Sequence, residues 1–498
     1  MSNPKVKRAI EIVKEQRYYD SIQGLMSWDI WEGLSKEGQP YRSEVSGYFT
    51  QHALNLLKSK ETEKLVGELK ELDDSAFADI YEKAAVKNLI ERYTKATQIP
   101  DELQVEMRKF TAEAQRVWQD CLKINSFEAY KPTLKGLFDL KMKVANAINP
   151  HANPFDVLCD SVDKGIDSAE VGRIFGDLKV GIKDILDQIK DEHAAIDESK
   201  VRFQCETKRI RDMAYDVNTL TGFNYDCGKD SETVHGMCTG VGPRDSRIAI
   251  SYRGDPWGGM FTMLHEGGHG RYNYGSHPRA IECGVWGGVG GAMHEGQARF
   301  YENMVGRSYE FIKYAYPTMV KHFPEIKDIT PEEFYKIVNK VTPSLNRIGA
   351  DELTYSLHPI IRFEIEKEFF NGNIKTDDFM DLWDAKYEEC FGLRPKNVKE
   401  GVLQDIHWAS GHVGYFQSYT LGNVYGGQLL HKMLEKTPDL YQQMEKGNFA
   451  PVNDFLYEHI HQYGNSAYTP KELIVNATGE ELTEKYFLEY LRNKYLKK

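Results

Sequence analysis

The stretch Leu264-His265-Glu266-Gly267-Gly268-His269 sets two imidazoles four positions apart, with a carboxylate beside the first. On a helix, residues i and i+4 share a face, so this spacing aims both rings at one ion. Glu266 then stands next to that ion, placed to accept a proton from water during metal-assisted hydrolysis. The two glycines argue against a purely structural helix, since each costs roughly 1 kcal/mol in a helix interior. They point to close approach by backbone or substrate.

A tetrahedral catalytic centre needs a third protein ligand and one open position. The sequel HExxHxxGxxH would require His at position 275, which here is Gly275, so the metzincin pattern is excluded. After the Gly-rich bend Gly284-Val285-Trp286-Gly287-Gly288-Val289-Gly290-Gly291, a second helix opens with Ala292-Met293-His294-Glu295-Gly296-Gln297. A helix, a turn and a returning helix would bring Glu295 back to the imidazole pair. The expected centre is one divalent ion per chain, zinc or cobalt, held by His265, His269 and Glu295, with His294 as the competing third ligand.

The elements that must position these groups are mostly helices. Amphipathic spacing predicts helices over Lys5 to Met26, Ser43 to Leu57, Ser75 to Thr97, Asp101 to Ile124, Phe127 to Ile148 and Ser168 to His193. Between Thr221 and Arg253 the pattern shifts to Gly, Asp and Cys punctuation, and Arg247 to Tyr252 partly alternates as a short strand does. Helical periodicity resumes at Trp257 to Tyr272, Ala292 to Met304, Pro331 to Lys340, Ala350 to Phe370, Gly411 to Lys436 and Glu480 to Tyr495. The expected fold is mainly α with a small β element near residues 221–253. No repeat or linker marks a boundary, so a single domain over 1–498 is expected, with 1–220 a helical lobe and 221–498 the metal-binding and catalytic part.

Composition removes several classes of function. The 498 residues carry 63 Lys plus Arg against 75 Asp plus Glu, a net charge of −12, and no basic run that would track phosphates, so nucleic acid is not an expected partner. No stretch reaches the ~18–20 apolar residues of a membrane span. The opening residues lack the apolar core of a secretory signal, which predicts a cytoplasmic protein. Seven scattered cysteines without a CxxC pair read as reduced, buried thiols.

Several motifs together resemble the carboxypeptidase Taq family of metallocarboxypeptidases. HEGGH at His265 to His269 matches its HExxH, and His294-Glu295-Gly296-Gln297 is similar to its HESQ, the source of the third ligand. Asn346-Arg347-Ile348-Gly349-Ala350-Asp351 matches its Arg-x-x-Ala-Asp element, and Gly401 to Trp408 matches GxxQDxHW. Weaker echoes at Trp28-Asp29, Tyr415 to Asn423 and Thr478 to Tyr495 extend the likeness over nearly the whole chain. Two elements depart from the family: His-Pro-Phe is His235-Gly236-Met237 here, and DxRxT is Asp245-Ser246-Arg247-Ile248-Ala249. The departures bear on substrate preference more than on metal chemistry.

The resemblance implies a helical two-lobed body with a deep active-site cleft, a homodimer, and release of single C-terminal residues from peptides with broad specificity. It also supplies further candidates. A donor for the tetrahedral oxyanion is expected from His407 or Tyr419, although each equally suits simple packing. A free C-terminal carboxylate is best held by the planar fork of Arg, which makes Arg347 and then Arg247 the substrate-binding candidates, with His235 a further ordering residue. Asp351, Glu352 and Asp405 are candidate carboxylate partners for the metal imidazoles. Two other functions fit the same residues: a cytosolic zinc endo-oligopeptidase, and a peptide-binding protein without turnover.

Overall fold

The N-terminal helix Pro4–Glu32 starts where Asn3 accepts from the Lys5 N–H at 3.0 Å and Pro4 supplies a preset φ. Its apolar stripe Val6, Ala9, Ile12 and Val13 is buried against Leu65, Val66, Leu69, Tyr81, Ala85 and Leu89 of the next helices, against Ala280 and Cys283 of the short helix Pro278–Glu282 and its cap, and against Val285 of the Gly-rich bend. The computed structural model describes residues 3–233, 236–252 and 254–497. Two compact units emerge, each assembled from separate stretches of chain.

The first unit comprises Met1–Thr97, Asp197–Val338 and Leu429–Glu481. Its only sheet among the described residues has three strands, β1 (Gly228–Glu232), β2 (Met237–Gly242) and β3 (Asp245–Ile250), in the order β1-β3-β2. β1 runs parallel to β3 with Lys229 opposite Arg247, and β2 runs antiparallel with Thr239 opposite Arg247. The small β element therefore lies where the change of sequence pattern places it. The helix Pro256–Tyr274 follows directly, capped by Asp255, whose carboxylate accepts from Trp257 and Gly258 N–H groups. The helix Thr207–Leu220 packs on it and has no counterpart among the sequence-derived elements.

The second unit comprises Gln98–Ile196, Asn339–Gln428 and Leu482–Lys498. Asp101–Ile124 and Phe127–Ile148 coincide with expectation, because Asn125 at φ 53° ends one helix and the Ser126 hydroxyl caps the next. Several boundaries differ, as where the helix expected from Glu480 starts at Lys485. The segment expected as one helix to Phe370 is two, Glu352–Tyr355 and Leu357–Phe370, broken at Ser356, whose carbonyl accepts from Thr420 Oγ1. The segment expected as a helix from Gly411 begins at Gln417, because Gly411 and Gly414 both adopt φ 72°. An aromatic cluster of Phe138, Phe155, Phe363, Phe370, Phe379 and Trp408, with centroids 5.2–5.9 Å apart, underlies the loop that carries His407.

Candidate metal centre

In the first unit, the helix Pro256–Tyr274 presents His265 and His269 with ring centroids 5.1 Å apart and nearly perpendicular. The helix Gly291–Arg299 begins after Gly290 at φ 67° and brings Glu295 back to them. Glu295 Oε2 lies 4.0 Å from His265 Nε2, and Glu295 Oε1 lies 3.8 Å from His269 Nε2. One ligand atom from each of the three residues falls within 4.8 Å of the others. Glu295 Oε2 is buried and accepts no hydrogen bond. A buried carboxylate oxygen without a donor is costly unless a cation takes its place, so these residues fit a divalent ion.

The HEGGH glycines are explained by their neighbours. A Cβ on Gly268 would lie 2.5 Å from the Gln297 carbonyl oxygen and 2.6 Å from Ala298 Cα, so a side chain there would push the Glu295 helix away. A Cβ on Gly267 would meet Asn218 Oδ1 at 2.9 Å, on the helix Thr207–Leu220. The glycines are spent on helix approach.

Electrostatics suit the arrangement. Burial, with the charges of His265, His294 and Arg299, holds His269 far below the usual imidazole range, in the neutral form a metal requires. Burial acts on His265 too, but its hydrogen bond to Glu302 and that carboxylate's charge outweigh it and raise its pKa. Glu266 is 6 % exposed, and burial pushes its carboxyl up to about 7, a range in which it can both take and return a proton. His294, the alternative ligand, packs against Tyr272 with centroids 4.7 Å apart and lies outside the three-residue group; burial lowers it to about 4.

The carboxylate on His265 is Glu302, at 2.9 Å from Nδ1, a residue the sequence reading does not single out. The three acids considered from sequence are committed elsewhere. Asp351 caps a helix through the Thr354 N–H and also accepts from the Thr342 N–H; Glu352 accepts from Tyr490, Lys494 and Tyr495. Asp405 accepts from two arginines. A Glu seven positions after the third ligand is the one available signal, and it is faint in a chain this acidic.

Arg347, His407 and Tyr419 belong to the second unit. Arg347 Nε and NH2 both donate to Asp405 Oδ1, at 3.1 and 3.0 Å, while Arg362 Nε donates to Asp405 Oδ2 at 2.5 Å. The Arg347 guanidinium lies 5.0 Å from the Tyr419 ring centroid, and Tyr419 OH is 3.0 Å from His407 Nε2. His407 Nδ1 is buried without a hydrogen bond, and burial, followed by the charge of Arg347, lowers the ring to about 3. These three candidates are thus brought together. Arg247 belongs to the first unit, where its Nε and NH2 grip Asp245 at 2.6 and 2.8 Å. His235 lies outside the described residues, but its neighbour Gly236 sits where a Cβ would be 3.0 Å from Glu266 Oε1.

Two imidazoles and an adjoining carboxylate on one helix, joined by an acid from the next helix, are the residue set of an HExxH metallopeptidase. The carboxypeptidase Taq (M32) metallopeptidase family matches residues 8–495, and the chain belongs to it. It is 31 % identical to Carboxypeptidase 1 of Bacillus subtilis, with 98 % of this chain and 97 % of that protein covered. It is 32 % identical to Thermostable carboxypeptidase 1 of Pyrococcus furiosus, with 95 % of each covered. A solved structure of Pyrococcus furiosus carboxypeptidase superposes with a TM-score of 0.95 at 30 % identity over 99 % of both chains, and an M32 carboxypeptidase from Deinococcus radiodurans R1 with 0.94 at 29 % over 99 % of both. The chain is a metallocarboxypeptidase, a peptide hydrolase.

Proposed function

We propose that this enzyme releases single residues of many kinds from the free C-termini of peptides, with one zinc or cobalt ion per chain, as a homodimer in the cytoplasm. The observation that carries the chemistry is the His265, His269, Glu295 group with its undonated Glu295 Oε2 and Glu266 alongside. Family membership carries the exopeptidase mode.

His265, His269 and Glu295 hold the ion, which when bound supplies Lewis acidity toward a peptide carbonyl and toward water. Glu266 accepts the proton of the attacking water on a carboxylate oxygen and delivers it to the departing amine. His407 or Tyr419 donates a hydrogen bond to the developing oxyanion, a contribution of ~3 kcal/mol in comparable enzymes. Arg347 takes the substrate's terminal carboxylate. Its Nε and NH2 already donate to Asp405 and its NH1 to the Tyr355 hydroxyl at 3.3 Å, so the remaining NH1 and NH2 hydrogens are the ones that serve. Arg247 and His235 are secondary substrate contacts, and the Gly236 and Ala249 departures tune which C-terminal side chains are accepted.

Digestion of matched peptides with free and amidated C-termini, read by mass spectrometry, tests the reading. Stepwise loss of C-terminal residues from the free peptide alone, abolished by chelation and restored by zinc or cobalt, is expected. Internal cleavage of the amidated peptide would instead make the enzyme an endo-oligopeptidase, and no cleavage of either would make it a peptide-binding protein.

A further inference from the structure

Glu302 takes no part in the chemistry above, yet its carboxylate engages His265 and two guanidiniums. Its Oε2 lies 2.9 Å from His265 Nδ1 and 3.3 Å from Arg299 NH1, and its Oε1 lies 3.9 Å from Arg307 NH2. Arg307 is itself fixed, donating to the Val338 carbonyl at 2.6 Å and covering the Phe261 ring at 3.7 Å, one turn before His265. Arg299 also faces the third ligand, with Nε 3.9 Å from Glu295 Oε2.

The backbone at Glu302 is unusual as well. Phe300–Val305 is a π-helical turn that continues and ends the helix carrying Glu295. Such turns give up regular i→i+4 bonding and occur in helices chiefly at functional sites. Here the turn carries the carboxylate that sits at Nδ1 of His265.

A neutral imidazole has one ring proton, and a carboxylate at Nδ1 draws that proton to Nδ1 and leaves the Nε2 lone pair for an ion. His265 Nε2 is the nitrogen that faces Glu295 Oε2, in agreement with that assignment. We propose that Glu302 is a positioning residue of the metal centre, fixing His265 with Nδ1 protonated and Nε2 turned toward Glu295, while Arg299 ties this carboxylate to the third ligand. The inference rests on the reading of His265, His269 and Glu295 as the ion's ligands.

The test measures zinc affinity of the folded, metal-stripped full chain by chelator competition, with the visible spectrum of the cobalt-substituted protein alongside. Glu302→Ala is expected to weaken zinc binding about 10- to 100-fold and to shift the cobalt bands. Glu302→Gln keeps an oxygen that accepts from Nδ1–H and should stay within about threefold of the parent in both readouts. A structural ion pair would give lower melting temperatures in both variants with parental zinc affinity, and that result overturns the proposal. So would equal loss of affinity in the two variants. Should the alanine variant not fold, 15N NMR of histidine-labelled, zinc-loaded parent decides: a protected Nδ1–H on His265 is expected, and protonation at Nε2 refutes the assignment. A parent that takes up no stoichiometric zinc sinks the ion site itself, whereas a parent that binds zinc and an alanine variant that binds it equally sink only the role of Glu302.

Discussion

The two charge clusters of this enzyme are out of balance in opposite senses. Around His265 and His269, the carboxylates Glu266, Glu295 and Glu302 face the guanidiniums Arg299 and Arg307, and Glu295 Oε2 receives no donor. Around His407, the guanidiniums Arg347 and Arg362 share the single carboxylate Asp405, and Arg362 NH2 donates to nothing. Burying an uncompensated charge is expensive, so each imbalance marks what is to be bound. One region is short of a cation and the other of an anion, the charges that the proposed metal ion and substrate carboxylate would supply.

The largest expected effect tests the role of the acids around the ion. Glu266→Gln should lower kcat by roughly 10²- to 10⁴-fold while zinc content, measured by elemental analysis, stays at the parental level. Parental turnover in this variant would remove Glu266 from the proton path. Deepening the imbalance of the other region should destabilise the fold. Asp405→Ala leaves two buried guanidiniums without their carboxylate and is expected to cost about 3–5 kcal/mol in denaturant titration. A loss within about 0.5 kcal/mol would mean the pair is not held as described.

Arg347→Lys keeps the charge but loses the planar edge. It should raise KM for peptides about 10- to 100-fold with kcat little changed, in line with ~1.5–3 kcal/mol for a charge-assisted bond. A fall in kcat at constant KM would point away from ground-state carboxylate binding.

The smallest effect sharpens the charge count. Glu366 lies in the second unit and accepts from Trp408 Nε1 at 2.7 Å and the Gly414 N–H at 3.0 Å, but burial pushes it up to about 8, so at neutral pH it does not offset the arginines. Its proton is held by the folded chain and released by the unfolded chain near the ordinary carboxylate value of about 4.3. The stability it contributes is therefore full below that value and fades as pH rises toward about 8. Between pH 6 and 9, Glu366→Gln should lose a few degrees less in melting temperature than the parent. Parallel losses in the two proteins would show that Glu366 is ionised throughout.

Several features were legible without coordinates because their causes are local. Two imidazoles at i and i+4 share a helix face wherever that helix lies, and Glu266 is placed by the same register. Asp101–Ile124 and Phe127–Ile148 are bounded by Asn125 and Ser126, whose capping chemistry acts within one turn. The break at Ser356 was not legible, because the groups that stabilise it, Thr420 and Asn423, come from a distant helix.

By itself the sequence determined the helical character, the small sheet, the family, and the residue types gathered at the metal, since periodicity, capping and motif spacing depend only on near neighbours. Tertiary structure alone decided that Glu302 rather than Asp351, Glu352 or Asp405 faces His265, that Gly268 makes room for the Gln297 backbone, and that Arg362 shares Asp405 with Arg347. Each of those contacts depends on how separate segments pack, and a buried charge takes whichever partner the packing brings within reach.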